Sequence, residues 1–354
     1  MAYAVHRRGW AALRGTRPSI APAPRYRAPV IYAGIDESGY GPLLGPLCVG
    51  ASAFRLPDGI APLDADGAPD HAALDLWKRL ELAICRKPKD SRRRIAVADS
   101  KKLKSAGKQP LVHLERGVLA FVPGGPYLDD RALFAALGVQ TRVARATPWH
   151  AQARPIPVDQ TPDGIAIARN LLARACADAD VSVERLAVSA LDPEDFNALH
   201  GSLRNKARVN MSLVFAALRA LDDLRDGAAA FIAIDRQGGR ASYGAELEAH
   251  VARGEKVRIL HEDLERSTYE IGEGLLVSFE VAAEDRHLPV ALASMAAKYV
   301  RELSMARLNA YFSAFLPEVA PTAGYVEDGR RYLAEVKPIL AREGIPEGDF
   351  VRVV

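Results

Sequence analysis

The hydrophobic pattern of the chain begins with two short apolar runs separated by a turn rich in glycine and proline. Residues 30–35 and 47–54 are almost entirely apolar, which is typical of buried β-strands. Gly45-Pro46 directly precedes the second run, so the two runs predict a hairpin. Further short apolar runs predict strands at residues 117–122, 186–190, 228–234, 256–260 and 275–281.

Helical periodicity dominates the second half of the chain. Residues 206–224 carry apolar side chains three and four positions apart, as in a helix with one buried face. Pro289 can open a long helix that runs to about residue 315, and a last helix is expected at 330–342. Together the elements predict an α/β chain with a mixed central β-sheet flanked by helices.

Two segments have a different character. Residues 56–94 contain several prolines and acidic residues, one helical stretch at 71–85 and a final cluster of basic residues, which predicts an insertion. Residues 123–162 contain six prolines and are expected to be mostly loop. The first 28 residues carry six arginines and no acidic residue, which favours a basic, disordered leader over a targeting peptide.

Composition narrows the classes of function only slightly. The chain has 354 residues, 49% of them hydrophobic, and a formal net charge of +3, which permits a nucleic-acid partner without requiring one. Its three cysteines are far apart and form no CxxC pair, so neither a disulfide framework nor a zinc–thiolate site is expected. Free thiols suit the cytoplasm. No apolar stretch approaches the roughly 20 residues that span a bilayer, and no membrane contact is expected.

Acidic residues follow two of the predicted strands directly. Asp36-Glu37 ends the first apolar run, and Asp235 ends the run at 228–234. Carboxylates held close together cannot all be ionised without a counter-charge, and hard oxygen ligands favour Mg²⁺ or Mn²⁺. Neighbouring strand residues point to opposite faces, so Asp36 and Glu37 can share a metal only if Ser38-Gly39 breaks the strand. The alternative at this point is that Asp36 and Glu37 are ordinary acidic residues of a turn and bind no metal.

Five blocks of sequence, in the same order, resemble the type 2 ribonucleases H (ribonuclease HII). The opening motif AGIDESGYGPLLGPLCVGA occupies residues 33–51, and DSKKL occupies 99–103. Asn210 is expected to open the helix before the FIAID run. Asp285, with Pro289 and ASMAAK at 293–298, resembles the fourth block, although the spacing is one residue short and Glu284 is adjacent. Gly324-Tyr325 resembles the fifth block.

The resemblance implies an RNase H-like fold over residues 29–354, enlarged near 56–94 and 104–185. It implies an endonuclease that cleaves RNA in RNA–DNA hybrids and at ribonucleotides embedded in DNA, using two Mg²⁺ or Mn²⁺ ions. A monomer is expected. The implied catalytic and metal-binding residues are Asp36, Glu37, Asp235 and Asp285. The implied substrate-binding residues are Gly39, Tyr40, Gly41, Lys101, Lys102, Lys298 and Tyr325.

Some positions depart from the pattern of this family. Tyr40 stands where the family usually has the arginine of Gly-Arg-Gly, an element that reads the ribonucleotide junction. Ala323 replaces the usual lysine before Gly-Tyr, and Val326-Glu327 follows in place of a threonine. These changes leave two alternatives open: an RNase H-fold nuclease with a different nucleic-acid substrate, and a non-catalytic nucleic-acid-binding protein.

Overall fold

A computed structural model describes residues 29–353 except 65, 91, 104–107, 141–146 and 239, so the leader predicted at 1–28 lies outside the described residues. The strands are β1 (Val30–Ser38), β2 (Leu47–Leu56), β3 (Ile84–Cys85), β4 (Ile95–Ala96), β5 (Ser182–Leu191), β6 (Ala229–Asp235), β7 (Val257–Glu262), β8 (Arg266–Ile271) and β9 (Leu275–Glu280).

The α-helices lie mostly between and after these strands. They are α1 (Leu76–Arg79), α2 (Ser100–Leu103), α3 (Val112–Phe121), α4 (Asp130–Ala136), α5 (Pro162–Asp178), α6 (Pro193–Leu203), α7 (Lys206–Leu224), α8 (Gly244–His250), α9 (Leu288–Ser313), α10 (Val326–Glu343) and α11 (Glu347–Phe350). Two short 3₁₀ helices span Pro148–His150 and Ala283–Asp285. We call the second of these the 283–285 turn.

Seven of the described strands form one sheet in the order β5-β2-β1-β6-β9-β8-β7. Strand β1 runs parallel to β6, and β6 runs parallel to β9, whereas the other pairs are antiparallel. Strands covered on both faces read as continuous apolar runs, which explains the sequence of β1 and β6. The predicted mixed central sheet flanked by helices is confirmed.

Helix α9 lies against one face of the sheet at very short range. A Cβ atom added to Gly34 of β1 would lie 2.2 Å from the backbone nitrogen of Val290. One added to Gly50 of β2 would lie 2.1 Å from the carbonyl oxygen of Ala293. Glycine at both positions therefore lets the helix backbone approach the strands. Nineteen of the 26 residues of α9 are buried, so this helix lies in the interior of the fold.

The opposite face of the sheet is covered by α7 and α8, whose apolar side chains join those of β1, β6 and β9 in a second core. The backbone N–H groups of Ala207 and Arg208 donate to the Asn205 side chain, which caps α7. The helix begins at Lys206, as the periodicity predicts. Asn210, which the family resemblance assigned to the start of the helix, lies more than one turn inside it.

Several elements differ from the prediction. Residues 117–122 were expected to form a strand, but they belong to the buried helix α3, since a short apolar run does not distinguish a strand from a buried helix. The helical stretch at 71–85 shortens to the four residues of α1. Strand β8 and helix α4 were not predicted. No helix within the described residues has the length and apolar character needed to cross a membrane.

Candidate functional site

The parallel pairing of β1 and β6 brings their acidic ends together. Ile35 of β1 pairs with Ile234 of β6, so Asp36 and Asp235 follow at the same level of adjacent strands. Successive residues of a strand point to opposite faces, so Asp36 lies on the same face as Gly34, which is the face covered by α9. Asp235 of the neighbouring strand lies on that face as well. They line a cleft of about 220 Å³ together with Glu37 and Glu284. Four carboxylates, two from the end of β1, one from the end of β6 and one from the 283–285 turn, thus line one cleft, and Asp99 before α2 is a fifth.

Asp36 is the most enclosed of these acids. Its side chain accepts a hydrogen bond from the backbone N–H of Glu37 at 2.7 Å, and the hydroxyl of Ser294 on α9, which is hydrogen-bonded to Ser100, lies close enough to lower its pKa. Burial raises the pKa of Asp36 well above its usual value, and the neighbouring charges of Glu37 and Asp235 raise it further. The hydrogen bonds oppose this rise but do not cancel it.

Asp235 and Glu284 face each other across the same cleft. Burial, followed by the negative charge of Glu284, raises the pKa of Asp235 to about 7. The backbone N–H of Ala283 donates to Asp235 at 3.0 Å, so the 283–285 turn is joined to the end of β6. Oε2 of Glu284 is buried without a hydrogen-bond partner. This oxygen is therefore available to a ligand.

Glu37 approaches the cluster from the other face of β1. Burial raises its pKa, whereas the hydrogen bond from Gln237, the charge of Lys101 and the nearby amide of Asn210 lower it. The amide nitrogen of Gln237 donates to Glu37 at 2.8 Å. Asn210, predicted only as a helix start, lies almost fully buried within α7 beside this carboxylate. Its placement explains why an amide stands in an otherwise apolar helix face.

The structure does not bring Asp285 into this cluster. Its side chain is about half exposed and accepts a hydrogen bond from the ammonium group of Lys102 at 2.8 Å. Neither residue lines the cleft, although the sequence comparison assigned both to the site. Glu284 occupies the position expected for Asp285. The one-residue shortening before ASMAAK was the signal for this shift, because it moves the aligned acid from 285 to 284.

Other predicted residues do line the cleft: Gly39, Tyr40, Gly41, Lys101, Lys298 and Tyr325. The backbone around Gly39 has φ +85°, and a Cβ there would lie 2.7 Å from the carbonyl oxygen of Pro46. Gly324, with φ +81°, packs equally closely against Leu44. Glycine is required at both positions on conformational and steric grounds.

A buried arginine that was not predicted holds these two glycine segments together. Arg301 of α9 donates to the carbonyl oxygens of Pro46, Leu44 and Ala323, at distances between 2.6 and 3.1 Å. The two segments are also joined directly, because the backbone N–H of Leu43 donates to the carbonyl oxygen of Gly324 at 2.7 Å. The loop after β1 and the segment before α10 therefore form one wall of the cleft.

Basic and aromatic side chains surround the acidic cluster. Lys298 pairs with Glu302 at 2.8 Å, and Lys101 lies close enough to lower the pKa of Glu37. Tyr40 is about one third exposed, and the ammonium group of Lys206 lies 4.8 Å from its ring centre, a cation–π distance. Tyr325 is 55% exposed. Lys206 was not predicted, and nothing in its local sequence distinguishes it from other surface lysines.

The donor set fits hard divalent cations. The four carboxylates line one cleft, where burial raises the pKa of Asp36, Glu37 and Asp235. A bound cation would relieve both this burial cost and the repulsion between the acids. Their oxygens are the ligands that Mg²⁺ and Mn²⁺ prefer. The unpartnered Oε2 of Glu284 is a further point of fit. Asp36, Glu37, Asp235 and Glu284 are therefore the residues that could hold such ions.

Comparison with known proteins finds similarity only at the level of structure. No protein-family model matches the chain, and no curated protein matches its sequence. Among solved structures, the chain is similar to RNase HII of Archaeoglobus fulgidus, solved in complex with PCNA. That match has 17% identity and a TM-score of 0.40, and it covers 91% of this chain and 94% of the other.

Two further structures belong to the same group of enzymes. Ribonuclease H2 of Pyrococcus horikoshii OT3 matches with 15% identity and a TM-score of 0.41, covering 90% of this chain and 92% of that one. Bst-RNase HIII, solved with Mn²⁺, matches with 17% identity and a TM-score of 0.40, covering 95% and 70%. At these levels the similarity carries no conclusion about a reaction, which has to be argued from this chain's own residues.

Proposed function

We propose that residues 29–354 form a divalent-metal-dependent endonuclease that hydrolyses the RNA strand of RNA–DNA hybrids and cuts at ribonucleotides embedded in DNA. The observation that carries the proposal is the convergence of Asp36, Glu37, Asp235 and Glu284 in one cleft, where burial and mutual repulsion favour the capture of cations. In a protein that only binds nucleic acid, clustered carboxylates would weaken binding, because they repel the negatively charged phosphate backbone.

The chain's own groups orient three of the carboxylates. Ser294 and the N–H of Glu37 direct Asp36, the N–H of Ala283 directs Asp235, and Gln237 directs Glu37. Divalent ions bound to these oxygens would supply Lewis acidity to activate a water for in-line attack on phosphorus and to stabilise the leaving 3′ oxygen. Carboxylates held on strand ends and a short turn keep that geometry without reorganisation during the reaction.

Substrate recognition falls to the rim of the cleft. Lys101, Lys298 and Lys206 would contact phosphates and set the register of the duplex, a role that depends on charge and not on sequence. Tyr325, exposed beside the acids, would stack against a sugar near the cleaved bond. Backbone amides of the segment 39–41 could approach the ribose closely, where the 2′-hydroxyl distinguishes RNA from DNA.

Tyr40 favours a second candidate, a nuclease of the same fold with a different nucleic-acid substrate. The tyrosine carries one hydroxyl and a flat ring, whereas an arginine would offer five N–H donors. Its ring is engaged by Lys206, which places a positive charge close to the site of the missing guanidinium. This candidate retains the acidic cluster and changes only which nucleic acid enters the cleft.

A cleavage assay with defined duplexes separates these candidates. The substrates are an RNA–DNA hybrid, a DNA duplex with one embedded ribonucleotide and an all-DNA duplex, each with Mg²⁺ or Mn²⁺, and the Asp36→Asn protein serves as the inactive control. We expect cuts only in the ribonucleotide-containing strands and only with the wild type. Metal-dependent cutting of other structures would favour the second candidate. Binding of these duplexes without any cutting would contradict the proposed cleavage of RNA–DNA hybrids.

A further inference from the structure

A second group of metal-ligating side chains lies outside the acidic cleft. His71, Glu280 and His287 each offer one ligand atom, and these three atoms lie within 4.8 Å of one another. Glu280 ends β9, His287 precedes α9, and His71 belongs to the long connection between β2 and α1. Glu280 and His287 are buried, whereas His71 is exposed. Two distant parts of the chain, the β2–α1 connection and the segment 280–287, therefore converge on one point.

The buried pair is close to the geometry of a metal site. His287 Nε2 lies 3.2 Å from Glu280 Oε1, yet this nitrogen makes no aligned hydrogen bond. Two ligands of a tetrahedral Zn²⁺ ion lie about 3.4 Å apart, given metal–ligand distances of about 2.1 Å. The pair thus has the separation of zinc ligands and leaves a buried nitrogen without a hydrogen-bond partner. His71 would need to approach by less than about 1.5 Å, which an exposed side chain can do by rotation.

The surroundings of the pair also suit coordination. The other ring nitrogen of His287 lies 2.8 Å from the Tyr32 hydroxyl, which is buried beneath it. A metal-binding histidine usually holds its second nitrogen in such a hydrogen bond, which orients the ring. Arg286 lies 3.4 Å from Glu280 Oε2, on the carboxylate oxygen that does not face His287. Its positive charge opposes a cation and lowers the expected affinity, but it does not occupy Oε1. That oxygen accepts a hydrogen bond from the Ser278 hydroxyl at 2.8 Å and keeps a second lone pair for a metal.

We propose that His71, Glu280 and His287 form a Zn²⁺ site, with solvent as the fourth ligand. Two imidazoles and one carboxylate are a ligand set that zinc accepts and that Mg²⁺, which favours all-oxygen sites, does not. The site would clamp the 283–285 turn, since Glu280 and His287 lie on either side of it. That turn carries Glu284 of the acidic cleft. The ion would also fasten the connection containing His71 to the sheet.

The test measures zinc binding in full-length protein without an affinity tag. Asp36→Asn and Asp235→Asn together weaken the acidic cleft as a competing site and form the parent for all variants. Zinc affinity is measured by competition with a chromophoric chelator, and Co²⁺ substitution reports tetrahedral geometry through its visible absorption. We expect one Zn²⁺ per chain in the parent. In His71→Ala we expect the affinity to fall at least ~100-fold, beyond the ~10–100-fold typical of losing an outer-shell partner.

Two controls keep this result specific. His261→Ala removes another exposed histidine, one that pairs with Asp263 at 2.8 Å, and should bind zinc as tightly as the parent. His71 is exposed, so its loss should leave the fold intact, and the melting temperature without zinc should match the parent. Zinc should raise the melting temperature of the parent but not of His71→Ala. A parent that binds no zinc, or equal affinity in parent and His71→Ala, would overturn the proposal.

Discussion

Neutralising Asp235 should stabilise the metal-free protein while it removes a metal ligand. The substitution is Asp235→Asn, which keeps the shape of the side chain and an oxygen that can accept from the N–H of Ala283. Burial and the charge of Glu284 raise the pKa of Asp235 from 3.8 to about 7. One pKa unit corresponds to about 1.4 kcal/mol. Ionising Asp235 in the folded protein at pH 8 therefore costs about 4 kcal/mol, as an upper bound.

The sign of the pH dependence follows from this shift. Between pH 4 and pH 7 the folded state holds a proton on Asp235 that the unfolded state has released, so the stability of the wild type falls as pH rises through this window. The variant lacks this loss. Because the other acids of the cleft share the repulsion and an amide is also costly to bury, we expect a gain of ~1–3 kcal/mol at pH 8 and little difference at pH 4.

The assay is urea denaturation in EDTA at both pH values, followed by circular dichroism. Saturating Mg²⁺ should stabilise the wild type, by about 2.7 kcal/mol at 100 times Kd, and should stabilise Asp235→Asn much less. Asp285→Asn is the matched control, because its half-exposed carboxylate is paired with Lys102 among the described residues and should matter by less than about 0.5 kcal/mol. A wild type as stable as Asp235→Asn at pH 8 without metal would refute the reasoning.

Three further predictions concern the walls of the site and the core. Gly34→Ala should lower the free energy of unfolding, measured by chemical denaturation, by ~1–3 kcal/mol or more, because the added methyl group meets the backbone of Val290. An unchanged denaturation midpoint would contradict the close approach of α9. Asp130→Asn should lower the free energy of unfolding by ~3–5 kcal/mol, since Arg307 donates two hydrogen bonds to this buried carboxylate. A loss below ~1 kcal/mol would contradict a stabilising role for this ion pair. Tyr325→Ala should weaken duplex binding, measured by fluorescence anisotropy, by ~1–3 kcal/mol without lowering the melting temperature. Unchanged affinity would contradict a contact between Tyr325 and the duplex.

The sequence was sufficient to predict most of the central sheet and its acidic rim. Apolar runs that end in an acid fall on β1 and β6, because a strand covered on both faces must be apolar until it reaches the rim. The periodicity of residues 206–224 likewise matches α7 over its whole length. These features depend on local pattern alone, and the burial that produces them is visible in the residues themselves.

The features that were missed depend on contacts between distant segments. Glu284 and Asp285 are adjacent acids, and only the path of the 283–285 turn decides which one faces Asp235. Arg301 reads as an ordinary charge in a helix, yet it is buried because three carbonyl oxygens converge on it. Residues 117–122 carry β-like apolar residues, but Glu115 of the same segment is buried as well. Its carboxylate accepts from the backbone N–H groups of residues 158–160, which joins this helix to a segment more than 40 residues further along the chain.

The most direct test of the proposed function compares two neighbouring acids. Metal-dependent cleavage of an RNA–DNA hybrid is measured for the wild type, Glu284→Gln and Asp285→Asn, after matched melting temperatures show that all three are folded. The proposed cleft predicts that Glu284→Gln loses at least ~100-fold in cleavage rate, on the scale of losing one electrostatic group at a reacting centre. Asp285→Asn should remain within a few-fold of the wild type. The opposite pattern, or equal rates in all three proteins, would contradict a reaction centred on Asp36, Glu37, Asp235 and Glu284.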